Sequence, residues 1–279
     1  MENCVIRQLK EDFTNSDLLK LDEFRIKVLS LRLRCSEVTD VKILTPGVTF
    51  SGTSSTETTV GTTVVTLTLS AVGVLSISKK SKIVAIDNIN GGVLDFTDFA
   101  YLSKLSYLAI QQNMLITGNV EDLQTCKSLT ELVIPNNNTN TYSYEGNIDD
   151  LPYNEETPLG VTLTPKASVE FGGDITSINH KRVSYIEITK SKLYGDFGNF
   201  IPVLSASVSV AHLNINLAGN SGLYGTLEDF VAKQRTAGNT SWSGKMVLYG
   251  TQITYNDELF EDALYTVTWT ADTLTVTRN

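Results

Sequence analysis

Cysteine and histidine are scarce in this chain, and their scarcity limits the chemistry open to it. Among 279 residues there are three cysteines, Cys4, Cys35 and Cys126, and two histidines, His180 and His212. Three cysteines, far apart and odd in number, fit neither a disulfide framework nor a metal cluster. Buried free thiols are expected instead, in a chain made in a reducing cytosol. Long apolar runs are also missing: no stretch approaches the ~18–20 residues that a membrane-spanning helix needs. Positive charge is the minority sign, with 22 Lys and Arg against 31 Asp and Glu and a net charge of −9. Such a chain repels phosphate, which argues against sequence-independent nucleic-acid binding. The opening Met1-Glu2-Asn3-Cys4, followed by Arg7, Lys10 and Glu11, has no apolar run and no small-residue cleavage site. Neither a signal peptide nor a lipobox is therefore expected.

What is present is a globular composition, 41% apolar and 19% charged, with an internal repeat. One pattern reads apolar–x–Gly–x–apolar–x–x–apolar. It appears as Ile116-Thr-Gly118-Asn-Val120-Glu-Asp-Leu123 and again as Tyr144-Glu-Gly146-Asn-Ile148-Asp-Asp-Leu151. It returns around Gly173 (Phe171, Ile175, Ile178), Gly195 (Leu193, Phe197, Phe200) and Gly225 (Leu223, Leu227, Phe230), with a weaker copy from Gly91 to Phe96. From Gly91 onward the glycines lie 27, 28, 27, 22 and 30 residues apart.

A second pattern keeps step with the first. Leu105-x-x-Leu108-x-Ile110-x-x-Asn113 matches Leu129-x-x-Leu132-x-Ile134-x-x-Asn137. Degenerate copies are Val84/Ile86, Val161/Leu163, Val183/Ile186/Ile188, Val210/Leu213/Ile215 and Met246/Leu248. The period-two alternation predicts a strand with one buried face, and the glycine predicts a tight bend. The apolar–x–x–apolar segment after it predicts a helical or 3-10 turn with acidic residues at its start. The expected fold is an α/β solenoid of irregular leucine-rich repeats, one strand plus one short helix or 3-10 turn in each, stacked into a common core.

The ends differ from the middle. Residues 1–35 predict two strands, Cys4–Leu9 and Phe24–Leu29, with Thr14-Asn15-Ser16-Asp17 as a turn cluster. Residues 36–80 are rich in Thr, Val, Ser and Gly and predict a β region or N-terminal cap. Within them Thr62–Ser70 is strand-like and Ser51–Thr63, poor in large apolar residues, is expected to loop out. The solenoid is placed over 81–256. Residues 257–279 predict a β-hairpin cap, from Tyr265–Trp269 and Leu274–Thr277 around a turn.

No acid–base or nucleophilic constellation stands out. His180 sits in the polar run Asn179–Arg182, and neither histidine has a metal-ligand partner at the usual spacing. No G-x-S-x-G, H-E-x-x-H, P-loop or paired C-x-x-C occurs. Gly91-Gly92 and Gly172-Gly173 lack the Lys-Ser/Thr of a phosphate cradle and belong to the repeat bend. Asp122, Asp149, Asp150 and Asp229 recur at one repeat position, which fits helix starts. The acidic loops Asp149-Asp150 and Asn256-Asp257 carry oxygen ligands that calcium would accept, but no EF-hand or nonapeptide pattern surrounds them. No catalytic residue, metal or cofactor is therefore assigned, and no enzyme is expected.

Binding is better sought on the strand ladder. If 108 and 110 point inward, their neighbours point out. That outer face carries Tyr107, Glu131, Tyr185, Glu187, His212, Asn214, Lys245 and Tyr249, a mixture of aromatic and polar groups suited to protein or glycan recognition.

The opening Cys4-Val5-Ile6-Arg7-Gln8-Leu9-Lys10, with Thr14-Asn15-Ser16-Asp17-Leu18-Leu19-Lys20-Leu21-Asp22-Glu23, resembles the start segment of virion proteins of crAss-like and related phages of gut Bacteroidales. The Gly118 and Gly146 units resemble the leucine-rich repeats that those proteins carry. The resemblance covers residues 1–35 and 84–250. It implies a structural virion appendage, a head fibre or otherwise a tail-fibre component, with a role in adhesion to the host surface. Its N-terminal segment would dock on the capsid or another virion protein through Cys4, Val5, Ile6, Leu9, Leu18 and Leu21. It further implies a homo-oligomer assembled in the host cytoplasm, without nucleic-acid or membrane partners. A bacterial leucine-rich-repeat adhesin is the rival from another class.

Overall fold

The computed structural model describes residues 22–137, 139–165, 169–204, 215–256, 258–259, 264–270 and 272–279. The expected first strand at Cys4–Leu9, the turn at Thr14–Asp17, all six candidate attachment residues, His212 and Asn214 lie outside them.

The fold is β-rich: strand makes up 53% and helices are few. The strands are β1 (Glu23–Cys35), β2 (Thr39–Ile43), β3 (Glu57–Val60), β4 (Val65–Ser78), β5 (Ile83–Asp95), β6 (Tyr107–Asn119), β7 (Glu131–Ile134), β8 (Thr141–Asn147), β9 (Leu159–Leu163) and β10 (Glu170–Asp174). They continue as β11 (Arg182–Ile188), β12 (Lys192–Asp196), β13 (Val203–Leu204), β14 (Ile215–Asn216), β15 (Gly222–Thr226), β16 (Trp242–Val247), β17 (Gln252–Tyr255), β18 (Glu258–Leu259), β19 (Leu264–Trp269) and β20 (Leu274–Arg278). All are joined by hydrogen bonds into one sheet, which is not closed.

Two parallel ladders organise the middle of the chain. The first runs from the start of β5 through β6, β7, β9, β11, β14 and β16. Its inward row is Ile86, Leu108, Leu132, Val161, Ile186, Ile215 and Met246, paired strand to strand in that order. Each of these side chains is at most 1% exposed, which is why the alternation was legible in the sequence. The second ladder runs from the end of β5 through the end of β6, then β8, β10, β12, β15 and β17.

This second ladder departs from expectation. Sequence predicted one strand and one short helix or 3-10 turn per repeat; the structure has a 3-10 turn but two strands. The apolar–x–Gly motif, expected to be a bend, lies inside a strand. Gly118 pairs with Tyr144, Gly146 with Phe171, Gly173 with Leu193, Gly195 with Leu223 and Gly225 with Ile253. Each turn of chain is thus displaced by two residues on the one before. All five glycines have positive φ, between +95° and +123°, so each is a kink within a strand that neighbours on both sides still hydrogen-bond.

Beside the two ladders a row of 3-10 turns forms, each in contact with the next. The 3-10 turns there are Phe96–Phe99, Val120–Thr125, Ile148–Asp150, Ile175–Ile178 and Phe197–Asn199. The last place in the row is taken by α1 (Leu227–Thr236), the one α-helix among the described residues. Most of these turns are capped by the residue before them: Asp95, Asn119, Asp174 and Asp196 accept from backbone N–H groups two residues ahead, and Thr226 from Asp229; all but Asp95 directly follow the motif glycine. Glu121, Asp122, Asp149, Asp150 and Asp229 occupy first turns, where their charge favours the helix start.

The interior is one apolar cluster from Phe24 to Trp269. Towards its C-terminal end the Phe197 and Phe230 rings stack at 4.7 Å, and Phe230 meets Trp269 edge-on at 5.8 Å.

Both ends of the ladders are covered by antiparallel strands. At the start, β1 pairs with β4 on one side and β5 on the other, so it crosses between the segments drawn from sequence at 35/36 and 80/81. The segment Ser51–Thr63, expected to loop out, contains β3, which pairs with β2; as a polar edge strand it needs only one apolar side chain, Val60, in the core. At the far end β16 pairs with β19, β19 with β20, and β17 with β18. The hairpin read from Tyr265–Trp269 and Leu274–Thr277 is thus present, one residue longer at either end.

Candidate binding face

The outer face of the first ladder brings four of the eight sequence-chosen residues together. Ala85, Tyr107, Glu131, Gly160 and Tyr185 follow one another in register on β5, β6, β7, β9 and β11. One step along, Ala109, Val133, Thr162, Glu187 and Asn216 make the next outward row. Parallel strands about 4.8 Å apart put each side chain within reach of its neighbours.

Gly160 decides what this face looks like. A Cβ there would lie 2.4 Å from Cε1 and 2.8 Å from Cζ of Tyr185, so the ring lies across the bare backbone of β9. Its hydroxyl reaches over that strand and donates to Glu131 Oε1 at 3.0 Å. Tyr185 is therefore buried, 5% exposed, and not the presented aromatic that its strand position suggested. Burial, reinforced by the Glu131 carboxylate, pushes the Tyr185 phenol up, and it remains a hydrogen-bond donor. Tyr107 is raised for the same reasons, burial first, then Glu131 and Asp87. Thr162 donates to Glu187 at 3.5 Å. At the head of the face Arg32 on β1 grips Asp87 on β5 with two bonds, 2.5 and 2.8 Å, and this pairing raises the guanidinium.

The two other described residues of the eight, Lys245 and Tyr249, do not join this group. Lys245 is exposed on β16 beside the antiparallel β19, across from Thr266. Tyr249 is not on a strand; it follows β16 in a turn, where its carbonyl accepts from Gly219 N. The face as built is a hydrogen-bonding surface of protonated phenols and carboxylates. Among the described residues no three His, Cys, Asp or Glu side chains converge to hold a metal ion, and none of the helices there is long and apolar enough to cross a membrane.

No family model, curated protein or solved structure matches this chain.

Sequence reasoning missed three participants. Arg32 and Asp87 are brought together by antiparallel pairing across 55 residues, which no local pattern announces. Gly160 was visible, since a glycine inside an apolar strand marks close approach of another group. The second ladder was missed as a face altogether, although Leu193-Tyr-Gly-Asp196 and Leu223-Tyr-Gly-Thr226 repeat one signature.

Proposed function

We propose that this chain is a structural virion protein, a subunit of a phage head fibre, built as an irregular leucine-rich-repeat solenoid and anchored through its N-terminal region. The observation that carries this is the position of β1. The strand that follows the opening segment is held on both sides, by β4 and β5. A pull on the N-terminus therefore passes through two sets of ladder hydrogen bonds into the first turn of the stack. Beyond it, seven strands spaced about 4.8 Å apart make a column about 29 Å long across the first ladder. Covered ends suit a protein that must stay a discrete unit, because open sheet edges recruit further strands.

On this reading the fibre is a homo-oligomer joined to the capsid or to another virion protein, and its outer faces contribute to host adhesion. The test is mass spectrometry of washed virions, followed by immunogold labelling with antibody to residues 84–250. Label on the capsid supports the head fibre. Label on the tail shifts the assignment to a tail-fibre component, and absence from particles with exposure on bacterial cells gives the adhesin instead.

A further inference from the structure

The second ladder presents two tyrosines that the fold leaves uncovered. Tyr194 is 54% and Tyr224 52% exposed, because strand alternation turns these rings outward while the adjacent Leu193 and Leu223 point into the core. Tyr194 pairs with Gly222, and Tyr224 follows two residues later on the same side of β15. One strand across and two residues along puts their backbones about 8 Å apart. Gly222 supplies no side chain to cover the first ring.

Beside Tyr194 opens a groove of about 500 Å³, lined by Lys190, Ser191, Lys192, Tyr194, Ser221 and Gly222. Its charged lining is two lysines and no carboxylate, in a chain with net charge −9. Lys192 is engaged by Glu170; Lys190 makes no ion pair among the described residues. Asn220, fully buried, donates to the carbonyls of Ile188 and Leu217 and accepts from the N–H groups of Ser191 and Leu193. One amide thus ties together the two turns that form the walls. Gln252 adds a bond from β17 to the Ser221 carbonyl at 2.7 Å.

We infer that this groove binds a carboxylate-bearing saccharide. A pyranose ring has an apolar C–H face that stacks on an aromatic ring, and hydroxyls that need polar partners at its edge. Tyr194 provides the stacking surface, Ser221 provides a hydroxyl partner, Ser191, whose hydroxyl donates to the Thr189 carbonyl at 3.2 Å, provides an acceptor, and Lys190 provides the counter-charge. Tyr224 extends the platform for a longer chain. The site gives chemical content to the adhesive role and rests on that reading for its biological use, but sugar binding by the purified chain and presence in virions are read out separately.

The experiment is native affinity electrophoresis of the full chain in gels containing polygalacturonic acid, or dextran as the uncharged comparison. The wild type is expected to be retarded by polygalacturonic acid and not by dextran. Tyr194→Ala should weaken retardation about ten-fold, and Lys190→Gln should abolish it. Tyr101→Ala, which removes another half-exposed tyrosine, should leave it unchanged. Both groove positions are exposed, and matching circular dichroism spectra establish that the variants fold. No retardation of the wild type, equal retardation by dextran, or full retardation of Tyr194→Ala would each overturn the assignment.

Discussion

Asp196 lies directly beneath Gly225. A Cβ placed on Gly225 would sit 2.4 Å from Asp196 Oδ1, the same oxygen that accepts from Gly198 N at 2.9 Å to cap the turn beginning at Phe197. The relationship recurs along the second ladder: Gly118 stands over Asp95, Gly146 over Asn119 and Gly195 over Asp174, with 2.5–2.8 Å between the built Cβ and the capping oxygen. The glycine of one turn of chain is what leaves room for the cap of the turn before.

Gly225→Ala should therefore cost more than backbone strain alone. Gly238 is the control, because its φ of +96° is close to the +107° of Gly225 while nothing lies within 4 Å of its built Cβ. A left-handed conformation costs a non-glycine residue about 1–3 kcal/mol, and Gly238→Ala should show that alone. Urea denaturation should give Gly225→Ala a further loss of about 1 kcal/mol or more, from the clash with the cap. Replacing Asp196 by Ala in the Gly225→Ala background should recover part of it. Equal losses for the two glycine variants would show that the cap contact is not felt.

The Tyr185 ring over Gly160 makes a second coupled pair. Gly160→Ala should lose about 1–3 kcal/mol by overpacking, since Gly160 has no positive φ and the steric term stands alone. In a Tyr185→Ala background the same substitution should cost clearly less, with Ser184 Oγ, 2.8 Å from the built Cβ, as the remaining close contact. Tyr185→Phe keeps the ring but removes the donor to Glu131, with an expected cost of about 1 kcal/mol. A double-mutant cycle from chemical denaturation checks all three, and an unchanged cost of Gly160→Ala without the Tyr185 ring is the outcome that rejects the contact.

Alkaline pH should weaken the fold. Burial pushes the Cys126 thiol from 9.0 up to about 11, against smaller opposing effects from Thr125, Leu102 and Lys127. Its Sγ–H donates to the Phe99 carbonyl at 3.2 Å. The folded state thus holds the proton more tightly than the unfolded chain, so stability is fully present below about pH 9 and falls as pH rises towards 11. Burial also raises Tyr144, Tyr153 and Tyr185 above their ordinary value of 10.0, which carries the decline further. Urea midpoints measured from pH 7 to 11 should drop above pH 9, and Cys126→Ala should flatten the first part of that drop. A midpoint constant through pH 11 would contradict the burial of these groups.

The sequence by itself determined the local rules of this fold. Alternation at Leu108/Ile110 and Leu132/Ile134 marks strands because one face of each must leave water, and that requirement is written in residues two apart. The acidic and amide caps after each glycine are equally local, since they satisfy N–H groups within the same turn. The C-terminal hairpin is legible for the same reason. Only the tertiary structure decided what depends on the next turn of chain. Gly118 and its counterparts look like bends in a single repeat; they are strand residues because the strand on either side completes their hydrogen bonds, and at Gly118, Gly146, Gly195 and Gly225 the cap below leaves no room for a Cβ. Tyr185 looks presented until Gly160, one strand away, is seen to receive its ring. Arg32 and Asp87 meet only because β1 folds back onto β5. Tyr194 and Tyr224 are open for the converse reason: the register sets Gly222 beside one of them and Gln252 beside the other, and neither pairing can be computed from a single repeat.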